Sequence, residues 1–221
     1  MNTFIITAGG IGKRMGGELP KQFLLLGDRP ILLWTLERFY EADNTAQLLI
    51  TLPEDWIDYW NTILNQYKCS IPHKIVSGGI ERYDSIKNAL QEAKGSIIGV
   101  HDGVRPLVSV TTILNCIECA KKNGSAIPYL PVKESIRKIK PENYSTALNR
   151  SEYILVQTPQ CFSSEHLRNA YKQPFHSIIT DDASLVEEAG YNIHLVEGNE
   201  ENIKITTPLD LKIAELLINK V

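Results

Sequence analysis

The apolar run Phe4-Ile5-Ile6 leads at once into Thr7-Ala8-Gly9-Gly10-Ile11-Gly12-Lys13-Arg14-Met15-Gly16-Gly17-Glu18-Leu19-Pro20-Lys21-Gln22-Phe23, a glycine-rich, cationic stretch. The run has the length and flanks of a buried strand. Ala8 opens the loop, and Gly9, Gly10 and Gly12 lack Cβ atoms, so backbone N–H groups there can close on anionic oxygens. Arg14 and Lys21 add two fixed positive charges beside that cradle. A flexible turn with solvated basic residues is the plainer account of such a stretch. Its place at the end of a first strand, crowded with cations, favours phosphate binding. Spacing sets two common phosphate loops aside. A Walker A loop needs Ser or Thr after Gly-Lys, and here Gly12-Lys13 is followed by Arg14. A dinucleotide fingerprint begun at Gly10 needs a third glycine at position 15, which is Met15.

Beyond the loop, apolar runs bounded by turn residues alternate with stretches of helical period. Helices are predicted over 30–42, 56–67, 83–93, 111–122, 163–172, 180–189 and 209–219. Strands are predicted over 4–6, 47–52, 74–76, 97–101, 126–130 and 153–156, with further extended runs at 195–198 and 202–208. This alternation indicates an α/β domain with a mainly parallel sheet flanked by helices, whose ligands sit at the carboxyl ends of the strands. With 221 residues and 43% hydrophobic content, a single domain spanning 1–221 is expected.

A net charge of -3 gives no electrostatic support to a nucleic-acid partner or an anionic membrane, so any anion-binding cations must be local. No apolar segment reaches the roughly 20 residues of a membrane helix, and residues 4–8 are too short and lack the basic flank of a signal peptide. A cytoplasmic location is the expectation. Cys69, Cys116, Cys119 and Cys161 are scattered, which suggests free thiols. Cys116 and Cys119 have metal-like spacing, but no second pair completes a zinc site, and one packed helix face explains them.

Two more strand-to-helix loops carry chemistry. In Ser77-Gly78-Gly79-Ile80-Glu81-Arg82-Tyr83-Asp84-Ser85 the glycine pair lets the backbone come close to a flat or anionic group. In Val100-His101-Asp102-Gly103-Val104-Arg105-Pro106 an acid ends a buried strand, placed to hold magnesium beside a triphosphate. Arg105 is open to taking phosphate, pairing with Asp102, or both. His101-Asp102 also invites a metal-phosphohydrolase reading, which no second His-rich cluster supports.

Downstream, residues 133–150 hold two extended runs around the turn Pro141-Glu142-Asn143, a protruding basic hairpin. Isolated hairpins are marginal, so this arm is expected to pack on a partner. Thr158, after the strand at 153–156, holds substrate or caps a turn. Thr180-Asp181-Asp182 opens a helix, with Thr180 as the N-cap and the acids favoured at the helix N-terminus. Lys204 lies between Ile203 and Ile205, opposite them if the segment is a strand, and such a lysine usually faces water.

Taken together, Ala8-Gly9-Gly10-x-Gly12-x-Arg14-Met15, Pro20-Lys21-Gln22-Phe23, Gly78-Gly79-x-x-Arg82, Asp102-x-x-Arg105-Pro106, Gln157-Thr158-Pro159-Gln160 and Asn202-x-Lys204-x-Thr206 resemble the 2-C-methyl-D-erythritol 4-phosphate cytidylyltransferase family over nearly the whole chain. The resemblance implies a Rossmann-like, nucleotide-diphospho-sugar-transferase-like fold and a homodimer with interlocked arms. It implies CTP and a polyol phosphate as substrates, with Mg2+ or another divalent cation as cofactor. On that basis Ala8, Gly9, Gly10, Gly12, Gly79, Ser85 and Asp102 bind CTP, and Asp102 faces the metal. Arg14, Lys21, Arg150 and Lys204 are catalytic. Arg105, Ser135, Thr158, Thr180 and Asp181 contact the polyol phosphate, with Ser135 and Arg150 reaching across the dimer. Ile80 and Ser135 depart from the Asp and Thr that many members carry.

Cytidylyl transfer needs no protein nucleophile, because the attacking phosphate oxygen is already anionic, and the sequence shows no triad-like set. A ribitol-5-phosphate cytidylyltransferase shares the same loops, and a CTP-binding regulatory protein without catalysis is the alternative of another class.

Overall fold

The computed structural model describes residues 1–10, 19–176 and 179–218, so the sequence expectations for Gly12 and Arg14 lie outside the described residues. The first strand, β1 (Asn2–Thr7), pairs in parallel with β4 (Gln47–Leu52) on one side and β6 (Ile97–Asp102) on the other. Between β1 and β4 lie the two-residue strands β2 (Leu25–Leu26) and β3 (Arg29–Pro30), which pair with each other, and helix α1 (Ile31–Ala42). Helix α2 (Ile57–Gln66) leads to β5 (Lys74–Ser77), which pairs in parallel with β4. Helix α3 (Arg82–Glu92) returns the chain to β6.

After β6 come helix α4 (Val110–Asn123) and strand β7 (Ser125–Pro131), then the hairpin β8 (Arg137–Ile139) and β9 (Ser145–Ala147). Strands β10 (Ile154–Val156) and β11 (Gln160–Ser163), helices α5 (Ser164–Ala170) and α6 (Asp182–Glu188), strand β12 (Leu195–Glu197) and helix α7 (Pro208–Ile218) complete the chain. Among the described residues the sheet has eight strands, in the order β10-β7-β11-β6-β1-β4-β5 with β12 on β7. It is mixed but mostly parallel, since β11 runs antiparallel to both β6 and β7, and β10 antiparallel to β7.

Strand periodicity sends alternate side chains to opposite faces. Ile5 and Leu49 pack with Ile86 and Leu90 of α3, Leu167 of α5 and Leu185 of α6. Their neighbours Phe4, Ile6, Leu48 and Ile50 pack on the other face with Leu36 and Phe39 of α1, Trp60 of α2 and Ile113 of α4. Both faces of the central strands are therefore covered, which is why these strands read as unbroken apolar runs. Full burial of one such Ile or Leu side chain contributes about 1.5–3 kcal/mol, and truncating a core Leu or Ile to Ala costs about 2–5 kcal/mol.

The structure corrects three sequence expectations. Gln160–Ser163 is a strand that the sequence reading missed, and the helix after it begins at Ser164, capped by the Ser163 hydroxyl on the His166 N–H. The run at 202–208 is not a strand: the Ile205 N–H donates to the Val104 carbonyl at 3.0 Å, but no ladder forms before helix α7 starts at Pro208. Asp181, not Thr180, caps α6, its Oδ1 accepting from the Ser184 N–H at 2.9 Å. The expected hairpin is present. Every residue of β8 and β9 is exposed, and among the described residues the two strands pair only with each other.

Candidate active site

Thr7 of β1 stands beside Asp102 of β6 and Thr51 of β4, so the ends of three parallel strands share one edge. Backbone bonds tie the loops that leave it. The Ala8 N–H donates to the Thr51 carbonyl, the Gly78 N–H to Leu52 and the Gly103 N–H to Thr7, at 3.0, 2.7 and 2.8 Å. Above that edge lies a cavity of about 330 Å³. Ala8, Gly9, Gly10, Lys21, Gly79, Ser85, Asp102 and Lys204, eight of the residues expected in the site, line it together.

Asp102 is the electrostatic centre of the cavity. Its Oδ2 lies 3.0 Å from Arg105 Nε and 3.1 Å from Lys204 Nζ, while Oδ1 faces Arg82 Nε at 3.9 Å. Burial raises the Asp102 pKa, but Lys204, Arg82 and Arg105 outweigh it and hold the carboxyl well below the usual carboxylate range. Asp102 is therefore an anion at any physiological pH. The Lys204 side chain is 44% exposed, so its ammonium remains open to the cavity.

The Gly78–Arg82 loop is closed from within. Ser85, almost fully buried in the first turn of α3, accepts the Gly79 N–H at 3.0 Å and donates to the Glu81 carbonyl at 3.1 Å. A Cβ on Gly79 would stand 2.2 Å from the Asp84 Cβ, so only glycine fits there. Glu81 and Asp84 form a reciprocal capping box that starts the helix. At the first loop, buried Gln22 donates to the Ala8 carbonyl at 2.6 Å and fixes the far end of the segment beside Lys21.

Beneath Asp102 the polar groups are used internally. His101 is fully buried, and desolvation pushes its pKa down to about 3, so the imidazole is neutral. The Arg105 carbonyl, 3.1 Å from Nε2, can only accept, which puts the ring proton on Nε2. Nδ1 then accepts the Thr158 O–H at 2.9 Å, and the Thr158 oxygen takes the Asp102 N–H at 3.2 Å. Thr158 is buried and does not line the main cavity. Neither does Arg105, whose Nη1 donates to the Asn202 carbonyl at 2.8 Å; of the readings left open for it, the structure shows the pairing with Asp102. Thr180 and Asp181 line a smaller neighbouring cavity of about 120 Å³, which shares Glu81 and Arg82 with the first.

The 2-C-methyl-D-erythritol 4-phosphate cytidylyltransferase profile matches residues 3–220. The chain belongs to that family. It is 46% identical over 217 residues to the 2-C-methyl-D-erythritol 4-phosphate cytidylyltransferase of Bacteroides fragilis, covering 98% of this chain and 99% of that one. The crystal structure of the enzyme of that name from Thermus thermophilus superposes with a TM-score of 0.77 at 33% identity, covering 99% of this chain and 98% of that one. The 4-diphosphocytidyl-2C-methyl-D-erythritol synthase structure from Anaerococcus prevotii gives a TM-score of 0.84 at 27% identity, with the same coverage.

Members of this cytidylyltransferase family are nucleotidyltransferases, which commonly use divalent cations. Among the described residues no group of three or more His, Cys, Asp or Glu side chains gathers as a metal cage. Asp102 fits a different kind of site: it is ionised, lines the cavity, and its Oδ1 is the less engaged oxygen. A magnesium ion held by one carboxylate and completed by phosphate oxygens and water needs no more from the protein. No helix among the described residues is long and apolar enough to cross a membrane.

Besides Arg105 and Thr158, two more residues that the cytidylyltransferase resemblance assigns to catalysis or polyol contact line neither cavity of their own chain. Ser135 and Arg150 are exposed at the hairpin arm, where the Arg150 guanidinium donates to the Lys133 carbonyl. The site also contains groups that the sequence reading left without a role. Arg82 lines both cavities, and Asp182 is its buried partner at 2.7 Å. The signal for Arg82 was in the Gly78-Gly79-x-x-Arg82 spacing itself; nothing in the sequence pairs it with an acid 100 residues away.

Proposed function

We propose that this chain transfers the cytidylyl group of CTP to 2-C-methyl-D-erythritol 4-phosphate, releasing pyrophosphate and forming the CDP-methylerythritol intermediate of non-mevalonate isoprenoid synthesis. The observation that carries the reading is an ionised Asp102 held among Lys204, Arg82 and Arg105 in a cavity that Ala8, Gly9 and Gly10 of the glycine loop also line, in a member of this family. We take residues 1–221 as one cytidylyltransferase domain carrying an arm at about 133–150. The reading puts the reaction in the cytoplasm, where CTP is available.

A phosphate oxygen of the acceptor attacks the α-phosphorus in line; one P–O bond forms as the bond to the pyrophosphate oxygen breaks. The protein contributes positioning and charge. Backbone groups of Ala8, Gly9 and Gly10 hold the triphosphate, a contact the family resemblance also assigns to Gly12, and Gly79 and Ser85 shape the base and ribose side. Lys21 and Arg14 stabilise charge on the α-phosphate and leaving group. Lys204 exchanges Asp102 for the incoming phosphate, aided by Arg150 and Ser135 of a second copy through the arm. Thr180 and Asp181 bound the polyol, while Arg105 and Thr158 support it by fixing Asp102. Asp102 would hold a magnesium or similar divalent ion, which would supply charge neutralisation and orientation for the triphosphate.

The test is pyrophosphate release by the purified protein with CTP, magnesium and 2-C-methyl-D-erythritol 4-phosphate, against ribitol 5-phosphate as the competing acceptor. Release with the first and little with the second is expected. Equal or greater release with ribitol 5-phosphate overturns the acceptor, and no release with either overturns the reaction.

A further inference from the structure

Arg82 and Asp182 are the first residues of α3 and α6, so two helix starts meet at one ion pair. Arg82 Nη2 donates to Asp182 Oδ2 at 2.7 Å, and Asp182 Oδ1 takes the Tyr171 hydroxyl at 2.6 Å. Both carboxylate oxygens are thereby fixed in a side chain with no solvent exposure, whereas Arg82 is one-third exposed. The neighbouring Tyr83 hydroxyl donates to the Gln173 carbonyl at 2.6 Å and ties the same helix start to the segment before α6.

The guanidinium is held from its buried side and open on the other. It lines the main cavity and the smaller one, forming part of the wall between them. Among the described residues, Nη1 donates to no acceptor, and Nε stops 3.9 Å from Asp102 Oδ1, beyond hydrogen-bond reach. An arginine serving only to join two helices would have its planar fork matched to one carboxylate, the arrangement such pairs favour. Here only Nη2 is engaged with Asp182, and the side chain is one-third exposed in a residue that lines both cavities.

We propose that Asp182 is a positioning residue for the transfer: with Tyr171 behind it, it holds Arg82 at the wall between the two cavities and off Asp102. The inference rests on the reaction assigned above. Released from Asp182, the guanidinium has only about 1 Å to travel to hydrogen-bond Asp102 Oδ1. That contact draws Arg82 away from the wall between the two cavities. The nucleotide cradle of Ala8 to Gly10 does not depend on it.

The experiment is a double-mutant cycle on pyrophosphate release, with CTP affinity measured in parallel by titration calorimetry. Asp182→Asn is expected to lower kcat by about tenfold or more, the usual size of a supporting-residue effect, while the Kd for CTP changes less than about twofold. Combining it with Arg82→Ala is expected to leave kcat within about twofold of Arg82→Ala alone, because the residue it acts through is gone. Tyr171→Phe, which keeps both charges, reproduces the pattern at a few-fold size and decides the matter if Asp182→Asn does not fold. Effects that multiply in the double variant, or a loss of CTP binding in step with kcat, overturn the proposal. Wild-type protein that releases no pyrophosphate overturns the assigned reaction and this inference together, whereas an active wild type with multiplying effects removes the inference alone.

Discussion

Lys204 Nζ and Arg105 Nε meet on the same oxygen of Asp102, at 3.1 and 3.0 Å, but their side chains differ in exposure, 44% against 12%. The pairs have equal length and unequal duties. Arg105 is committed on two sides, to the carboxylate and to the Asn202 carbonyl, whereas Lys204 has solvent and cavity before it.

Lys204→Ala is therefore expected to lower kcat by roughly a hundredfold, the cost of removing a preorganised charge, with a smaller stability loss than Arg105→Ala, because water screens the exposed ammonium and Asp102 keeps Arg105 and Arg82 beside it. Arg105→Ala strips a buried carboxylate of its inner partner and is expected to cost about 3–5 kcal/mol. Urea unfolding and pyrophosphate release on both variants check the contrast. Similar stability losses in the two would refute it.

Ser85→Ala removes the hydroxyl that joins the Gly79 N–H to the Glu81 carbonyl. A stability loss of about 0.5–1.5 kcal/mol is expected, with a raised KM for CTP. Gly79→Ala must displace Asp84 and open the capping box, so its KM should rise further. Initial-rate kinetics over a range of CTP concentrations decide it, and an unchanged KM in Gly79→Ala would count against the loop as a nucleotide wall.

Acid should unfold the protein from a predictable point. Burial lowers the His101 pKa from 6.5 to about 3, so below pH 6.5 the unfolded chain takes up a proton that the folded one refuses. This contribution is fully present above pH 6.5 and declines as pH falls toward 3, by up to about 1.4 kcal/mol per unit. Asp102, whose pKa is also lowered in the fold, adds to the loss below about pH 4. The urea midpoint should fall steadily from pH 6.5 to 4, and His101→Gln should flatten that limb. An identical slope in the variant would exclude His101 as its source.

If Arg150 serves the partner's site, mixed dimers will report it. Arg150→Ala and Lys204→Ala homodimers are each expected to be nearly inactive. Re-association puts both lesions in one site of each mixed dimer and leaves the other intact, which restores about a quarter of wild-type activity on random pairing. A light-scattering mass of one chain, or no recovery on mixing, would show that each site is built within one chain.

The central strands and most helices were legible because their apolar residues repeat with the period of the element they form, as in Phe4 to Ile6 and in α4. Strand β11 was hidden. Gln160-Cys161-Phe162-Ser163 is four residues long, and its Ser163 is at once strand end and helix cap, so neither period has room to show. The cap of α6 was off by one residue because Thr180 and Asp181 are both good caps and only tertiary bonding separates them. Gln160 Nε2 donates to Asp181 Oδ2 at 2.8 Å and fixes the choice. The cavity-lining residues of the site were readable as motifs. Thr158 and Arg105 carried the same motif signal, but their hydroxyl and guanidinium turn inward to His101, Asp102 and Asn202, a direction that spacing does not encode.

The antiparallel course of β11 has a geometric outcome for the site. A strand that runs against its neighbour begins where that neighbour ends, so the pairing of Gln160 with Val100 carries Thr158 to the level of Asp102. The acid arrives from the tail of one strand and the hydroxyl beneath it from the head of another, with no connecting loop to set their spacing. Alignment of the two is thus written into a single hydrogen-bond ladder. A slip of one residue would turn the strand's side chains to the opposite face, breaking the sheet's interior and the catalytic edge in the same step.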